Sequence, residues 1–449
     1  KRPSASSTAQ PDPENHSELA TSAASTSHML GARSRLPFAF IALRHSNFRL
    51  YWSGQLISFM GTWMQTIGQA WLVLALTHSG LQLGIVGALQ ALPVLLFSLF
   101  GGVFADRWPK RRVLLATQSA AMIQAGTLWA LVATGAIQLW HLYVLALLLG
   151  VSNSLGRPTS QAFVVEMVGR EDLPNAVALN SATGNLARIV GPGLGGLIIA
   201  ASGVSTLFLL NALSFLAVIG SLVLIKGHEL HTHAHRHPDG GERWSMWHSL
   251  GEGLDYVWKT PAVLLVIVVV GLVLLFGSNF SVVLPLFATD VLHVGATGFG
   301  LLSAAIGAGS LLATLWLAWS DRQPTIRGVL IGTVAFGALE ALLAVARFFP
   351  LAVLLVASIG FAEMAFAALA LTLLQMVPPD HLRGRVMSVS ILFFDGSVPL
   401  GYLLVGWLAG LYGASITVLI CGVLSSVVAG AGWVWHISAE KGVAPSASS

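Results

Sequence analysis

Four charged residues interrupt otherwise apolar runs: Arg188, Glu340, Glu363 and Asp395. A charge at the centre of a hydrocarbon layer costs about 2.5–3.5 kcal/mol on insertion scales, so each must have a partner or a task. Arg188 requires an anionic or carbonyl partner. It either holds an anionic substrate or a proton-site carboxylate, or it belongs to a structural pair. For the acids, desolvation favours the neutral form and lets a carboxyl group take up and lose protons. Glu363 and Asp395 are the favoured proton carriers. The plainer alternative makes them hydrogen-bonded neutral acids or partners of Arg188. Glu340 sits nearer the outer end of its run and ranks below them.

A polar stripe precedes these charges. Gln55, Ser58, Thr62, Gln65 and Gln69 follow one another at steps of 3, 4, 3 and 4, which puts them on one helical face. Lipid hosts such a face poorly, so it turns inward, either to line a substrate path or to hydrogen-bond neighbouring helices. Asn153 and Asn279 are further polar candidates for a cavity. His228, His231, His233, His235 and His237 form a tract of metal-binding type, which a polar loop also holds without any ligand. No metal site is expected. No GxxxxGK[ST] phosphate loop, nucleophile elbow or zinc-protease helix occurs, so neither ATP hydrolysis nor other enzyme chemistry is expected.

The elements that position these residues are membrane helices. The chain has 449 residues, 55% hydrophobic and 9% charged, with a mean hydropathy of +0.77. Soluble domains carry about 25% charged residues. Apolar runs of about 20 residues, enough for a hydrocarbon core of about 30 Å, recur twelve times. They fall at 50–76, 82–104, 113–135, 140–163, 176–201, 203–225, 262–289, 297–319, 328–346, 350–376, 385–410 and 413–437. The fold class is therefore all-α and polytopic, with twelve spans in two sets of six. A bundle at 46–225 and another at 262–437 flank a His-rich linker at 226–261. The polar segments 1–45 and 438–449 read as cytosolic tails. The opening 35 residues hold no apolar h-region, so no cleavable signal is expected.

Short basic turns separate spans, and one is repeated. Asp106, Arg107, Pro109 and Arg112 recur 215 residues later as Asp321, Arg322, Pro324 and Arg327, and Gly102 opens the first copy. A turn repeated at half-chain distance indicates two related bundles. These turns read either as a latch or as topology signals alone. In the latch, Asp106 meets the N-terminal dipole of a helix in the other half and Arg112 pairs with an acid such as Glu166. Twenty of the 23 Lys and Arg residues lie on one side of the spans, which predicts both termini in the cytoplasm. The pI near 9.5 thus reflects topology, not nucleic-acid binding. In the linker, Trp244, Trp247, Leu254 and Trp258 share one face of a predicted helix, which either lies at headgroup depth or packs on the protein.

GVFADRWPKRR after the second span and the weaker LAWSDRQPTIR after the eighth resemble the major facilitator superfamily, over about 46–437. Gly191, Pro192, Gly195 and Gly196, in GPGLGG, are similar to the fifth-helix motif of its drug:proton antiporters. NFRLYWSGQLISFMGTWMQ, EGLDYVW and PLFATDVLHVGATGFGLLSAAIGAG resemble the bacterial branch that includes enterobactin and macrolide exporters. The resemblance implies alternating access, with proton uptake driving export of small amphipathic compounds across a bacterial inner membrane. It places a cytosolic gate on Asp106, Arg107 and Arg112, and implies no cofactor beyond the proton gradient. Pro109 departs from the usual glycine. The mid-fourth-span arginine of many drug antiporters is absent, Arg157 lying near the cytosolic end, and Arg188 is the candidate to replace it. A monomer acting on a small molecule within the bilayer is expected. An importer of the same fold and a non-transporting membrane sensor or lipid-handling protein are the alternatives.

Overall fold

Backbone polar groups inside hydrocarbon must bond within their own segment, so long apolar runs fold as helices. The computed structural model describes residues 38–231, 246–320 and 323–442, and among these it is helical without a strand. The first half holds α1 (Ser46–Thr77), α2 (Gly80–Arg107), α3 (Lys110–Ala133), α4 (Leu139–Val168), α5 (Leu173–Ser202) and α6 (Val204–Leu224). A linker helix, Met246–Lys259, leads to the second half. That half holds α7 (Pro261–Phe276), α8 (Phe280–Leu286), α9 (Ala296–Trp319), α10 (Ile326–Val345), α11 (Phe349–Met376) and α12 (Asp380–Gly442). Gly413, at φ 75°, divides α12 into the last two spans, a backbone conformation that glycine adopts without strain.

All twelve expected spans are present, with one correction. The seventh, expected to run unbroken over 262–289, is interrupted at residues 277–279. Nine helices among the described residues are apolar and long enough to cross a membrane, α12 counting once for two spans. α1 and α3 fall outside that set because polar residues lower their hydropathy, the glutamine stripe in α1 and Gln118, Ser119 and Gln124 in α3.

Packing repeats between the halves. α2 packs on α4 as α9 packs on α11, and α3 packs on α4 as α10 packs on α11. The halves meet along two seams, α2 with α12 and α5 with α9. Small residues make both seams. A Cβ on Gly406 would lie 2.6 Å from the Gly80 carbonyl oxygen, and one on Gly300 would lie 2.6 Å from that of Pro192. Trp71 of α1 stacks on Phe299 of α9 with centroids 6.3 Å apart. These contacts cluster toward the face opposite the chain ends, where the 77–80, 202–204, 291–296 and Gly413 turns lie. α8 reaches the same region, packing on α1 and α2.

One face of the linker helix packs on the second half and the other is exposed. Val257 is buried, and a Cβ on Gly253 would stand 2.8 Å from the Arg385 carbonyl oxygen of α12. Glu252 pairs with Arg385. Leu254 and Trp258 point away, 50% and 73% exposed. The side chain of Trp247, and Trp244 altogether, lie outside the described residues.

Candidate functional site

The stripe on α1 does not line the space between the halves. Gln55, Ser58, Gln65 and Gln69 are buried against their own bundle. Gln65 is the centre of a buried chain: Asn211 of α6 donates to its Oε1 at 2.7 Å, and its Nε2 donates to Gln124 Oε1 of α3 at 3.0 Å. Gln55 donates to the Tyr51 hydroxyl at 2.8 Å, and Tyr51 meets Ser160 of α4 at 2.7 Å. Thr62 donates to the Ser58 carbonyl at 2.9 Å. The substrate-lining expectation is corrected for this face. With no water to bond, amides in a membrane bundle satisfy one another across helices. Asn153 lies half-buried on α4.

Arg188 is half-buried on α5, and its guanidinium lies 5.9 Å from the centroid of the Trp63 ring. Among the described residues the contact shown for the guanidinium is this aromatic face, which attracts a cation through its quadrupole. The adjacent glycine motif has two faces. A Cβ on Gly191 would lie 2.6 Å from Trp63 Cβ, one on Gly195 would lie 3.5 Å from Met64 Cα, and both neighbours belong to α1. Gly196 and the Pro192 carbonyl face α9 of the other half.

Asp395 is exposed on α12, and the charged group acting on it is Arg157 of α4, in the opposite half. Neither residue makes an ion pair within 4.0 Å among the described residues. The two opposite charges belong to opposite halves, and both side chains are exposed near the middle of their spans.

The interrupted seventh span gathers the remaining polar groups. Gly277 donates to Val273 O at 2.7 Å, and then Asn279 N turns back to Gly277 O at 2.8 Å. Asn279 Nδ2 replaces a lost ladder bond by donating to Leu275 O at 2.8 Å. Ser278 Oγ donates to Glu363 Oε1 of α11. Glu340 of α10 is 3% exposed, and its Oε2 has no hydrogen-bond partner. Glu340 lies near the C-terminal end of α10, and its Oε2 stands against Gly277 at the break. Gly277-Ser278-Asn279 inside an apolar run is the sequence signal for this break, a Gly followed by residues that compete for backbone bonds.

The basic turn after α2 is tied within its own half. Lys110 Nζ meets Glu166 Oε1 at 2.6 Å, with both side chains largely buried. Arg111 donates to Leu222 O and Val223 O, each at 2.7 Å, and so caps the C-terminus of α6. Lys110 therefore takes the acid expected for Arg112, which is exposed. Two residues of helical rotation, about 200°, separate Lys110 from Arg112 and decide which base faces α4. Gly102, Asp106 and Arg107 lie in α2, but their side chains are outside the described residues, as are Asp321 and Arg322. Arg327 is exposed in the first turn of α10. On the same face Arg44 and His45 bond Asp172 Oδ2, at 2.8 and 2.7 Å. His231 N donates to Glu166 O at 2.7 Å. Among the described residues no cluster of three His, Cys, Asp or Glu could hold a metal, and His233, His235 and His237 lie outside them.

A family model described as transmembrane secretion effector matches residues 38–447. The staphyloferrin A transporter of Staphylococcus aureus is 26% identical over 392 residues, covering 84% of this chain and 92% of its own. The multidrug efflux pump Tap of Mycolicibacterium fortuitum is 29% identical over 370 residues, covering 80% and 88%. The enterobactin exporter EntS of Citrobacter koseri is 26% identical over 345 residues, covering 76% and 80%. Among solved structures, the nucleoside transporter NupG superposes with a TM-score of 0.70 at 15% identity, over 86% of this chain and 98% of that one, a likeness of fold.

Proposed function

Since the chain belongs to the transmembrane secretion effector family, within the efflux branch of the major facilitator superfamily, we propose that it exports a small amphipathic compound in exchange for protons. The transported class is of siderophore or drug type, by analogy with the cargo named for its relatives. The bundles 46–225 and 262–437 rock against each other, the two glycine seams closing one face in this conformation and parting when that face opens. Both termini face the cytoplasm of a bacterial inner membrane, and the transporter acts as a monomer. The basic turns, including Arg112 and Arg327, form a gate on that side.

One observation carries this reading: one face is closed by backbone-to-backbone contact between the halves, while Arg157 and Asp395, of opposite charge and in opposite halves, are both exposed near mid-span. A structure closed at one end, with charged side chains exposed at mid-span, has the form of one end state of a rocking cycle. Arg188, Glu363 and Asp395 supply the intramembrane charges that proton exchange requires.

The test uses everted membrane vesicles loaded with a pH-sensitive dye. Addition of siderophores and lipophilic antibiotics to energised vesicles will give dye recovery in the wild type. Asp395→Asn, Glu363→Gln and Arg188→Ala will abolish it. Substrate flux that persists without a gradient and is untouched by the three variants would refute proton exchange and indicate facilitated diffusion.

A further inference from the structure

The coupling reading above leaves the most deeply buried acid without a role. Glu340 Oε2 and Ser425 Oγ are both inaccessible and both lack a hydrogen-bond partner. They converge on one point: a Cβ built on Gly277 would stand 3.0 Å from the first and 2.9 Å from the second, with the Phe336 ring 2.5 Å away. A third unpartnered atom, Asn279 Oδ1, lies at the same break against Gly401 of α12. Native structures leave few buried polar atoms unpaired, and three at one helix interruption ask for an occupant. An ionised carboxylate with an empty oxygen beside Phe336 would be far costlier than a neutral carboxyl group. The cradle is too small for an organic solute, since the Cβ of one alanine would fill it.

We propose that Glu340 and Ser425, beside Gly277, form a proton-binding site whose occupancy is passed through Ser278 to Glu363 and so to α8. This rests on the proton-exchange reading and adds the place where the proton is held away from the substrate path. Release breaks the O–H bond at Glu340 Oε2 and forms one to a water molecule admitted as the break opens, leaving the carboxylate; uptake is the reverse, from water back to the same oxygen. The route outward follows from chain geometry. Ser278, one residue from Gly277, donates to Glu363. α8 begins at Phe280 and packs on α1 and α2 of the other half, so it is the part of the seventh span that meets the seam. The missing ladder bonds at 277–279 let α8 turn relative to α7 with little loss. Charge on Glu340 is opposed by Glu363 of α11, and the Cys421 thiol of α12 lies in its field. Tyr402 of α12, buried against this region, lies near Ser281 of α8 and Glu363 of α11.

Infrared spectra of the purified wild type, recorded across a pH titration, read the site directly. A protonated-carboxyl band will be present at neutral pH, absent in Glu340→Gln, and displaced in Ser425→Ala, which loses only the hydroxyl neighbour. In vesicles Glu340→Gln will lose gradient-driven export while keeping downhill movement of whichever probe compound the wild type transports. An unchanged band in both variants would overturn the proposal. If Glu340→Gln does not fold, the unchanged or displaced band of Ser425→Ala decides alone. Failure of the exchange reading looks different: the wild type itself would give no dye recovery, whatever its infrared band.

Discussion

Gly196 and Gly195 are neighbours in one motif, yet their substitution by alanine should have opposite consequences. A Cβ on Gly196 would lie 2.5 Å from the Ala296 carbonyl oxygen, 3.0 Å from Gly300 Cα and 3.2 Å from Thr297 Cα. All three are backbone atoms of the other half, and none can rotate away. A Cβ on Gly195 meets nothing closer than Met64 Cα at 3.5 Å, an ordinary contact within its own half. Both changes gain the same helix propensity, about 1 kcal/mol, so the difference between them isolates the seam. Overpacking of this kind costs about 1–3 kcal/mol. Because the cost falls only on the conformation closed at this face, Gly196→Ala should move the population away from it by roughly 5- to 150-fold. Spin labels on Ser202→Cys and His293→Cys flank the seam at exposed turn positions, and Cys421 is too buried to label. Distance distributions between them should broaden toward longer separations in Gly196→Ala and match the parent in Gly195→Ala. Identical distributions in the two variants would refute the seam as the contact that holds this face shut.

Gln65→Leu leaves Asn211 and Gln124 without their shared partner, each unpaired group costing about 1–3 kcal/mol. It should lower the detergent melting temperature while the folded fraction keeps its substrate selectivity; altered selectivity at unchanged stability would restore the lining role. Lys110→Met should cost about 1.5–3 kcal/mol by stranding Glu166, whereas Arg112→Ala should stay within about 0.5 kcal/mol, both read as melting temperatures. At the linker, hydrogen bonds from Ser46 and then Lys226 hold the Glu229 carboxyl below its ordinary value of 4.5. A depressed carboxyl stabilises the bound segment fully above its free value and loses that contribution as pH falls through the folded value. The protection of the 226–231 amides, with exchange corrected for its intrinsic pH dependence, should therefore be constant above about pH 5 and fall in acid, and Glu229→Gln should remove the acid dependence.

Much of the fold was legible in the sequence because one solvent dictates it. Apolar runs must become helices in hydrocarbon, and the repeated Asp-Arg turn marks two bundles without reference to any contact. Arg188, Glu363 and Asp395 were visible for the same reason, since a charge among leucines is conspicuous. Tertiary structure decided which way each side chain points. The glutamine stripe had the right periodicity for a cavity, but Asn211 and Gln124 are 146 and 59 residues from Gln65, and no local pattern announces them. Lys110 took Glu166 from Arg112 through helical phase, which a linear motif does not encode. Glu340 ranked low while its distance along the chain from Gly277 and Ser425 hid their convergence. Periodicity and hydropathy are properties of one helix, whereas pairing, burial and an unfilled cradle belong to the crossing of several.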